Sequence, residues 1–472
     1  MSVLRIEGLH SLEGSIKIQG SKNGVLPVMA ASLLHNGTTV LEHIPKIQDV
    51  FCMLGILNAL GAECRLEGER LSISAASLSA AEIPETLAGQ MRSSVMLLGP
   101  LLARLGRVET SLPGGCRIGK RPVDLHIRGL TELGAVVRIE DNRIRAEAPP
   151  AGLLGAEIHL PYPSVGATEN ILMAAAGARG ETVLVGAARE PEIGILCSFL
   201  KAMGVSVEGA GSSVIRVRGT GSFRDSRFSL PGDRIVAGTY LGAVLCAGGH
   251  VLLEQAPAEH MGKTLWTAKQ MGAQLEPVEE GIWVSMQRRP GPVDIETGPY
   301  PEFPTDMQSV VMAAAALADG TSCIRENVFE NRFCVAKELQ KLGAHIIIED
   351  KFAQVNGVKA LKGASVMAED LRGGAALAAA CLAAEGTSFL GGYEHIHRGY
   401  EDICRDLAGA GARIELLSQA ENIFSDDRRK ETDGIWTRQE KNGDPSGSVI
   451  SAACDHSGRV LHPDPGDHGY GK

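Results

Sequence analysis

The sequence predicts an α/β protein of two domains, assembled from six repeated units of about 70 residues. Three observations lead there. Glycines that follow an amphipathic helix pattern recur at Gly61, Gly134, Gly204, Gly272, Gly343 and Gly411, spaced 73, 70, 68, 71 and 68 residues apart. Ahead of each lies a second helix pattern that is apolar on nearly every side, followed by a glycine turn and a β-rich run. Finally, 472 residues with 57 glycines, 44% hydrophobic and only 4% aromatic residues describe many tight turns and an interior of Ala, Leu, Val and Ile. Length alone favours two or three domains. Six units are too large for one core, and a solenoid needs atypical capping repeats that this chain does not display.

The apolar helices are read at Val25 to Leu34, Met91 to Leu105, Asn170 to Ala178, Ile235 to Ala247, Met307 to Ala318 and Leu371 to Ala384. A helix without a polar face is buried all round. Each ends near Gly37, Gly106, Gly180, Gly248, Gly320 or Gly386, after which a strand such as Thr38 to Leu41 begins. The outer helices, such as Val335 to Leu342, carry apolar residues at i, i+3/4 and i+7. A glycine just past them suits a left-handed closing residue. The uncharged run Ile235 to Leu253 has the length of a bilayer span. Its glycines and its likeness to the other apolar helices make it a core helix instead, so no membrane insertion is expected.

Net charge is −10, which leaves no global basic footprint for nucleic acid. The N-terminal residues show no charged stretch followed by an apolar one, so a cytoplasmic protein is expected. The ten cysteines are scattered, with no C-x-x-C pair and no zinc spacing; they read as reduced thiols, mostly small core residues. Walker A, G-x-G-x-x-G after a strand, G-x-S-x-G and H-E-x-x-H are all missing. No nucleoside triphosphate chemistry, metal or cofactor is expected.

The starts of the apolar helices carry the chemical signal. Ser, Thr, Asp and Asn there are ordinary N-caps. Lys22, Arg92, Arg234 and Arg372 are not, because a cation at a helix N-terminus opposes the macrodipole. An anionic ligand bound at these helix starts removes the conflict; solvated cations are the alternative. Cys116 sits in the Pro/Gly-rich segment Ser111 to Pro122, with Arg117, Lys120 and Arg121 within five residues. A thiol in such an electropositive loop is expected to be reactive. Asp306 reads as a helix cap or a base, and Arg332 and Arg398 as solvated helix-start residues or cleft arginines. His126 is by default a satisfied structural histidine.

Gly20-Ser21-Lys22-Asn23, Leu112 to Gly119 with Arg121 to His126, Ser164 to Thr168, Phe303 to Gln308, Phe329 to Phe333 and His397 to Glu401 occur in this order along the chain. With these motifs the chain resembles the UDP-N-acetylglucosamine 1-carboxyvinyltransferases, the enolpyruvyl transferases of bacterial peptidoglycan synthesis. The resemblance runs to about Leu417. It implies the enolpyruvyl transferase fold, a two-domain inside-out α/β barrel. Residues 1–21 and 232–417 would form one domain, and residues 22–231 the second, carrying the cysteine loop. Residues 418–472 have no counterpart in the pattern and read as a flexible extension.

The implied reaction moves enolpyruvyl from phosphoenolpyruvate to the 3′-hydroxyl of UDP-N-acetylglucosamine and releases phosphate. By the resemblance, Lys22, Arg121 and Arg398 hold phosphoenolpyruvate, with Asn23 beside them. Arg92, Arg121, Pro122, Val123, Asp124, Leu125, Ser164, Val165, Gly166, Asp306 and Val328 hold the sugar nucleotide. Asp306 is the base near the attacking hydroxyl, and Cys116 the acid that protonates the methylene carbon and the target of a fosfomycin-type epoxide. Arg332, Asp370 and Arg372 are supporting cleft residues. Some members carry a basic residue where this chain has Tyr162, which leaves the uracil contact open. The shikimate-pathway transferase shares the fold but lacks the Pro-Gly-Gly-Cys loop; a non-catalytic sugar-nucleotide-binding paralogue is the other alternative.

Overall fold

The computed structural model describes residues 2–112 and 122–418. The chain divides into two compact units, Met1–Glu421 and Asn422–Lys472. The second unit lies outside the described residues, as does the segment containing Cys116; Ser418, expected to open the extension, instead ends the strand Arg413–Ser418.

The described residues form six sheets, five of four strands and one of three. The five share one pattern. In one, Leu12–Lys17 runs parallel to Gly249–Glu254, which pairs antiparallel with Gly281–Met286, and that in turn with Gln274–Val278. Ser226–Ser229, Thr38–Glu42, Arg70–Ser74 and Glu63–Glu67 repeat this arrangement. In the sheet of Ser365–Met367, Thr387–Gly391, Ser2–Glu7 and Arg413–Ser418, the third strand comes from the N-terminus, with Leu4 opposite Leu390 and Ser2 opposite Ser418. The three-stranded sheet carries a single parallel bridge, Glu82 to Glu109, where the others have a fourth strand. Thr38–Glu42 and Thr321–Arg325 alternate buried and more exposed residues, as strands with one face on a core do.

The apolar helices are Lys22–Ala31, Leu98–Leu105, Val165–Ala176, Arg234–Ala247, Gln308–Ala315 and Leu371–Ala383. Two differ notably from expectation. The helix expected from Met91 is a 3₁₀ turn over Arg92–Leu97 and becomes α-helical only at Leu98. That puts Pro100 in the first α-helical turn, where its missing N–H breaks no hydrogen bond. The third begins at Val165 rather than Asn170, capped by Ser164, so that Thr168, Glu169 and Asn170 are buried inside it. Asn170 earns its burial by bonding to Gly99 N (2.6 Å) and Val95 O (2.8 Å).

All six outer-helix glycines close their helices with φ between 92° and 104°. After Gln48–Ala59, Gly61 N bonds to Asn58 O and Ala62 N to Leu57 O, both at 3.0 Å, a Schellman closure.

Buried apolar side chains gather in two clusters. One spans Leu4–Ile18 and Ile235–Ala412, the other Val25–Leu230, and each contains three of the apolar helices. The helices approach closely because small residues line them: a Cβ on Gly242 would meet Val310 Cγ1 at 2.0 Å, and one on Gly99 the Asn170 carbonyl oxygen at 2.3 Å. The chain passes between the clusters through two segments bonded side by side. Gly20 bridges Gly232, Ser21 N donates to Pro231 O (2.9 Å), and Asp233 N to Gln19 O (2.8 Å).

Among the described residues no helix is long and apolar enough to cross a membrane, and no group of metal-binding side chains forms. Eight cysteines are described and all are free. Cys52, Cys197 and Cys381 are buried, and the partly exposed Cys64, Cys246 and Cys404 pack against the apolar clusters; Cys323 and Cys334 are partly exposed.

Candidate active site

Lys22 opens its helix next to the cap Ser21, whose Oγ accepts from Gly24 N. The Lys22 backbone N–H donates to Asp233 Oδ2 at 2.8 Å, so this helix start is tied to the returning segment. Its ammonium lies 3.0 Å from Asp49 Oδ2. Arg398, in the other core's half of the chain, reaches the same carboxylate with Nε at 3.1 Å and a terminal nitrogen at 3.3 Å. Gln19 holds the segment just after Arg398, donating to Gly399 O and accepting from Glu401 N on either side of Tyr400. The two cations that the resemblance assigns to phosphoenolpyruvate therefore converge. The carboxylate that joins them, Asp49, was not among the expected site residues. Its side chain is 4% exposed. Burial alone would push its carboxyl up, but the charges of Lys22 and Arg398 outweigh this and hold it below the usual range.

Asp306 sits in the 3₁₀ turn Thr305–Met307, and no side chain caps the helix that follows. Asp306 is therefore not a helix cap. Oδ1 lies 2.6 Å from Arg332 and Oδ2 3.2 Å from Arg372, whose side chains are 2% and 5% exposed. Arg332 and Arg372 are therefore buried partners of the expected base, not solvated helix-start residues. Arg372 also stands over the Tyr400 ring and 3.4 Å from its hydroxyl. Asp370, expected as a cleft residue, caps the helix Leu371–Ala383 by accepting from Arg372 N and Gly373 N.

These contacts correct the charge argument. Lys22 meets Asp49, Arg372 meets Asp306, and Arg234 forms a two-pronged pair with Glu192 at 2.9 and 3.2 Å. At three of the four helix starts the cation's counter-charge is a carboxylate of the chain itself, distant in sequence. An anionic ligand is not needed to explain them.

On the Val25–Leu230 side, Asp124 begins the helix Asp124–Glu132, a favourable place for an acid. Pro122 and Asp124 are exposed, Val123 and Leu125 half-buried. Ser164, Val165 and Gly166 form the capped start of the next apolar helix. His126 joins the two segments: a Cβ on Gly166 would lie 3.1 Å from its ring, and its Nδ1 is 2.8 Å from Asn170 Nδ2. It is the structural histidine expected. Tyr162, 48% exposed, has its phenol pushed up by partial burial and by Glu190 and Glu326, so it stays neutral. Val328 donates its amide to Glu326 Oε1 at 2.8 Å, so its carbonyl and side chain are what it can offer a ligand. Asn23 is half-buried in the first turn after Ser21. Cys116, Arg121 and the side chain of Arg92 lie outside the described residues.

A family model described as EPSP synthase (3-phosphoshikimate 1-carboxyvinyltransferase) matches residues 6–407. The UDP-N-acetylglucosamine 1-carboxyvinyltransferase of Maricaulis maris is 46% identical over 421 residues, covering 88% of this chain and 99% of that protein. The protein of the same name from Anaeromyxobacter sp. (strain K) is 46% identical over 420 residues, covering 88% and 100%. Among solved structures, the enolpyruvyl transferase NikO from Streptomyces tendae matches with a TM-score of 0.80 at 24% identity, over 89% of this chain and 99% of that one. EPSP synthase from Acinetobacter baumannii matches with a TM-score of 0.71 at 20% identity, over 89% and 100%. The structural matches carry the fold, and the sequence matches carry the relationship. The chain belongs to the EPSP synthase family of enolpyruvyl transferases and, within it, to the UDP-N-acetylglucosamine 1-carboxyvinyltransferases.

Proposed function

We propose that this protein transfers the enolpyruvyl group of phosphoenolpyruvate to the 3′-hydroxyl of UDP-N-acetylglucosamine and releases phosphate, as a cytoplasmic enzyme at the first committed step of peptidoglycan synthesis. The observation that carries the reading is the meeting of Lys22 and Arg398 on Asp49 from the two halves of the chain. Two cations share one carboxylate there, and the net positive charge left over suits a leaving phosphate. Asp306 takes the proton of the hydroxyl as its oxygen bonds to C2, and Cys116 delivers one to the methylene carbon; loss of a proton from that carbon then breaks the C2–O bond to phosphate and restores the double bond. Pro122 to Leu125, Ser164 to Gly166 and Val328 hold the sugar nucleotide, with Arg92, Arg121 and Asn23 completing the charged and polar lining.

The same reading extends to the architecture: two inside-out barrels of three units each, 1–21 with 232–417 and 22–231. The two apolar clusters and the strand pattern common to five sheets support it.

Turnover is tested by phosphate release with both substrates, and shikimate 3-phosphate serves as the rival acceptor. Phosphate is expected only with UDP-N-acetylglucosamine; none from folded protein would overturn the reading. The cysteines give a second test. Burial pushes the thiols of Cys64, Cys197, Cys246, Cys334 and Cys381 up to about 12, and those of Cys52, Cys323 and Cys404 upward as well. A fosfomycin-type epoxide at neutral pH is therefore expected to alkylate Cys116 and stop turnover, because the thiolate is the nucleophile. Peptide mass spectrometry that finds the label on any of the other nine cysteines instead refutes the assignment.

A further inference from the structure

We propose that Glu326 is a positioning residue for this transfer, a single carboxylate that fixes both the segment carrying the base and the turn on which the sugar nucleotide rests. The inference builds on the proposed reaction and assigns a role to a side chain that the motifs did not single out. Glu326 follows the strand Thr321–Arg325 and is 2% exposed. Its Oε1 accepts from Val328 N at 2.8 Å and from Phe329 N at 3.0 Å. Its Oε2 accepts from the Thr305 hydroxyl at 3.0 Å.

Thr305 precedes Asp306, and its carbonyl accepts from Arg332 Nε at 3.2 Å. The other end of that guanidinium holds Asp306 at 2.6 Å. A closed circuit results, running from Glu326 through Thr305 and Arg332 to the base. On its other side the same carboxylate shapes the turn at Val328 and Phe329, whose ring lies 5.7 Å below the Arg332 guanidinium. Asn327 fastens the turn from outside, with its backbone N on Thr297 Oγ1 (3.0 Å) and its amide on Thr297 O (3.1 Å).

The three donors come from the two segments to which the base and a sugar-nucleotide contact are assigned. The two amides belong to the local turn, and the bond to Thr305 is the one that ties this turn to the segment of the base. Truncation would leave two part-buried N–H groups and one hydroxyl without their acceptor, and the segments free to shift against each other. A displacement of about 1 Å at such a place lowers rates by about 10²-fold.

The test uses the full chain with Glu326→Ala, Glu326→Gln and Thr305→Val, measured by steady-state kinetics, by calorimetric binding of UDP-N-acetylglucosamine and by thermal melting. Glu326→Ala is expected to raise the KM and Kd for UDP-N-acetylglucosamine about tenfold or more and to lower kcat, with the KM for phosphoenolpyruvate within about twofold. Glu326→Gln, whose oxygen still accepts from the two amides and whose nitrogen can donate to the Thr305 hydroxyl, is expected to recover most of the loss. Thr305→Val is expected to lower kcat while keeping the Kd. Wild-type constants in folded Glu326→Ala overturn the proposal. So do parallel changes for both substrates that track the loss of folded protein. Should Glu326→Ala not fold, an unchanged kcat in Thr305→Val overturns it. If wild-type protein binds UDP-N-acetylglucosamine but releases no phosphate, the reaction is wrong, and the difference in Kd between wild type and Glu326→Gln or Glu326→Ala still decides the role of Glu326.

Discussion

Asp306→Asn lowers the rate of phosphate release by about 10²- to 10⁴-fold, the range expected when a general base is removed. The substitution keeps the shape of the side chain and removes its charge. Both carboxylate oxygens are already engaged, one by Arg332 and one by Arg372. A carboxylate has about four acceptor positions, so each oxygen retains a site for the substrate hydroxyl. The arginines orient the base and balance its charge. In the amide variant one guanidinium faces an NH₂ group instead of an acceptor, and two buried cations lose their shared counter-charge. A stability loss of about 1–3 kcal/mol accompanies the loss of rate. Single-turnover phosphate release, read beside a denaturant melt, separates the two. A rate within about threefold of wild type, with the melt displaced, would mean that Asp306 only neutralises its arginines and that the base lies elsewhere.

Asp49→Asn gives the second large effect, on phosphoenolpyruvate. Without the carboxylate, Lys22 and Arg398 repel one another where they now converge, and kcat/KM for phosphoenolpyruvate falls by about 10²-fold. The KM for UDP-N-acetylglucosamine changes much less. Stability carries an independent signature. The Asp49 carboxyl is held below its ordinary value in the folded chain. Its stabilising contribution is therefore fully present above the unfolded value of about 3.9, and is lost as pH falls through the folded one. The stability gap between wild type and Asp49→Asn is constant from neutral pH down to about 5 and closes in more acidic solution. A gap that widens on acidification would contradict the geometry around Asp49.

Local signals were legible in the sequence. The six closing glycines carry their own physical requirement, a left-handed residue past a helix end, and all six have it. The apolar helices were visible as runs without a polar face, although Pro100 and the buried stretch Thr168 to Asn170 moved two of their starts. The candidate site was legible only where a motif gathered several residues in one stretch, as around Asp306 and Arg398. Asp49 was hidden because it lies in the first turn of the helix Gln48–Ala59, where an acidic residue is explained by the dipole alone. Glu192 and Glu326 were hidden similarly, since each looks like a surface acid until a distant arginine or threonine reaches it. The unbalanced cations at the helix starts were a real signal, but half of each ion pair was written elsewhere in the chain.

The pairing of the first strand has a consequence for how the protein is made. Ser2–Glu7 is completed by Thr387–Gly391 and Arg413–Ser418, and Leu12–Lys17 by Gly249–Glu254. On the ribosome Ser2–Glu7 and Leu12–Lys17 must wait for strands that emerge long after them. The cluster from Val25 to Leu230, by contrast, has every member it needs once about half the chain has been synthesised. Vectorial synthesis therefore completes the Val25–Leu230 cluster before the sheets that hold Ser2–Glu7 and Leu12–Lys17. Until Arg413–Ser418 arrives, Ser2–Glu7 is an unpaired edge of the kind that chaperones bind and that aggregation recruits.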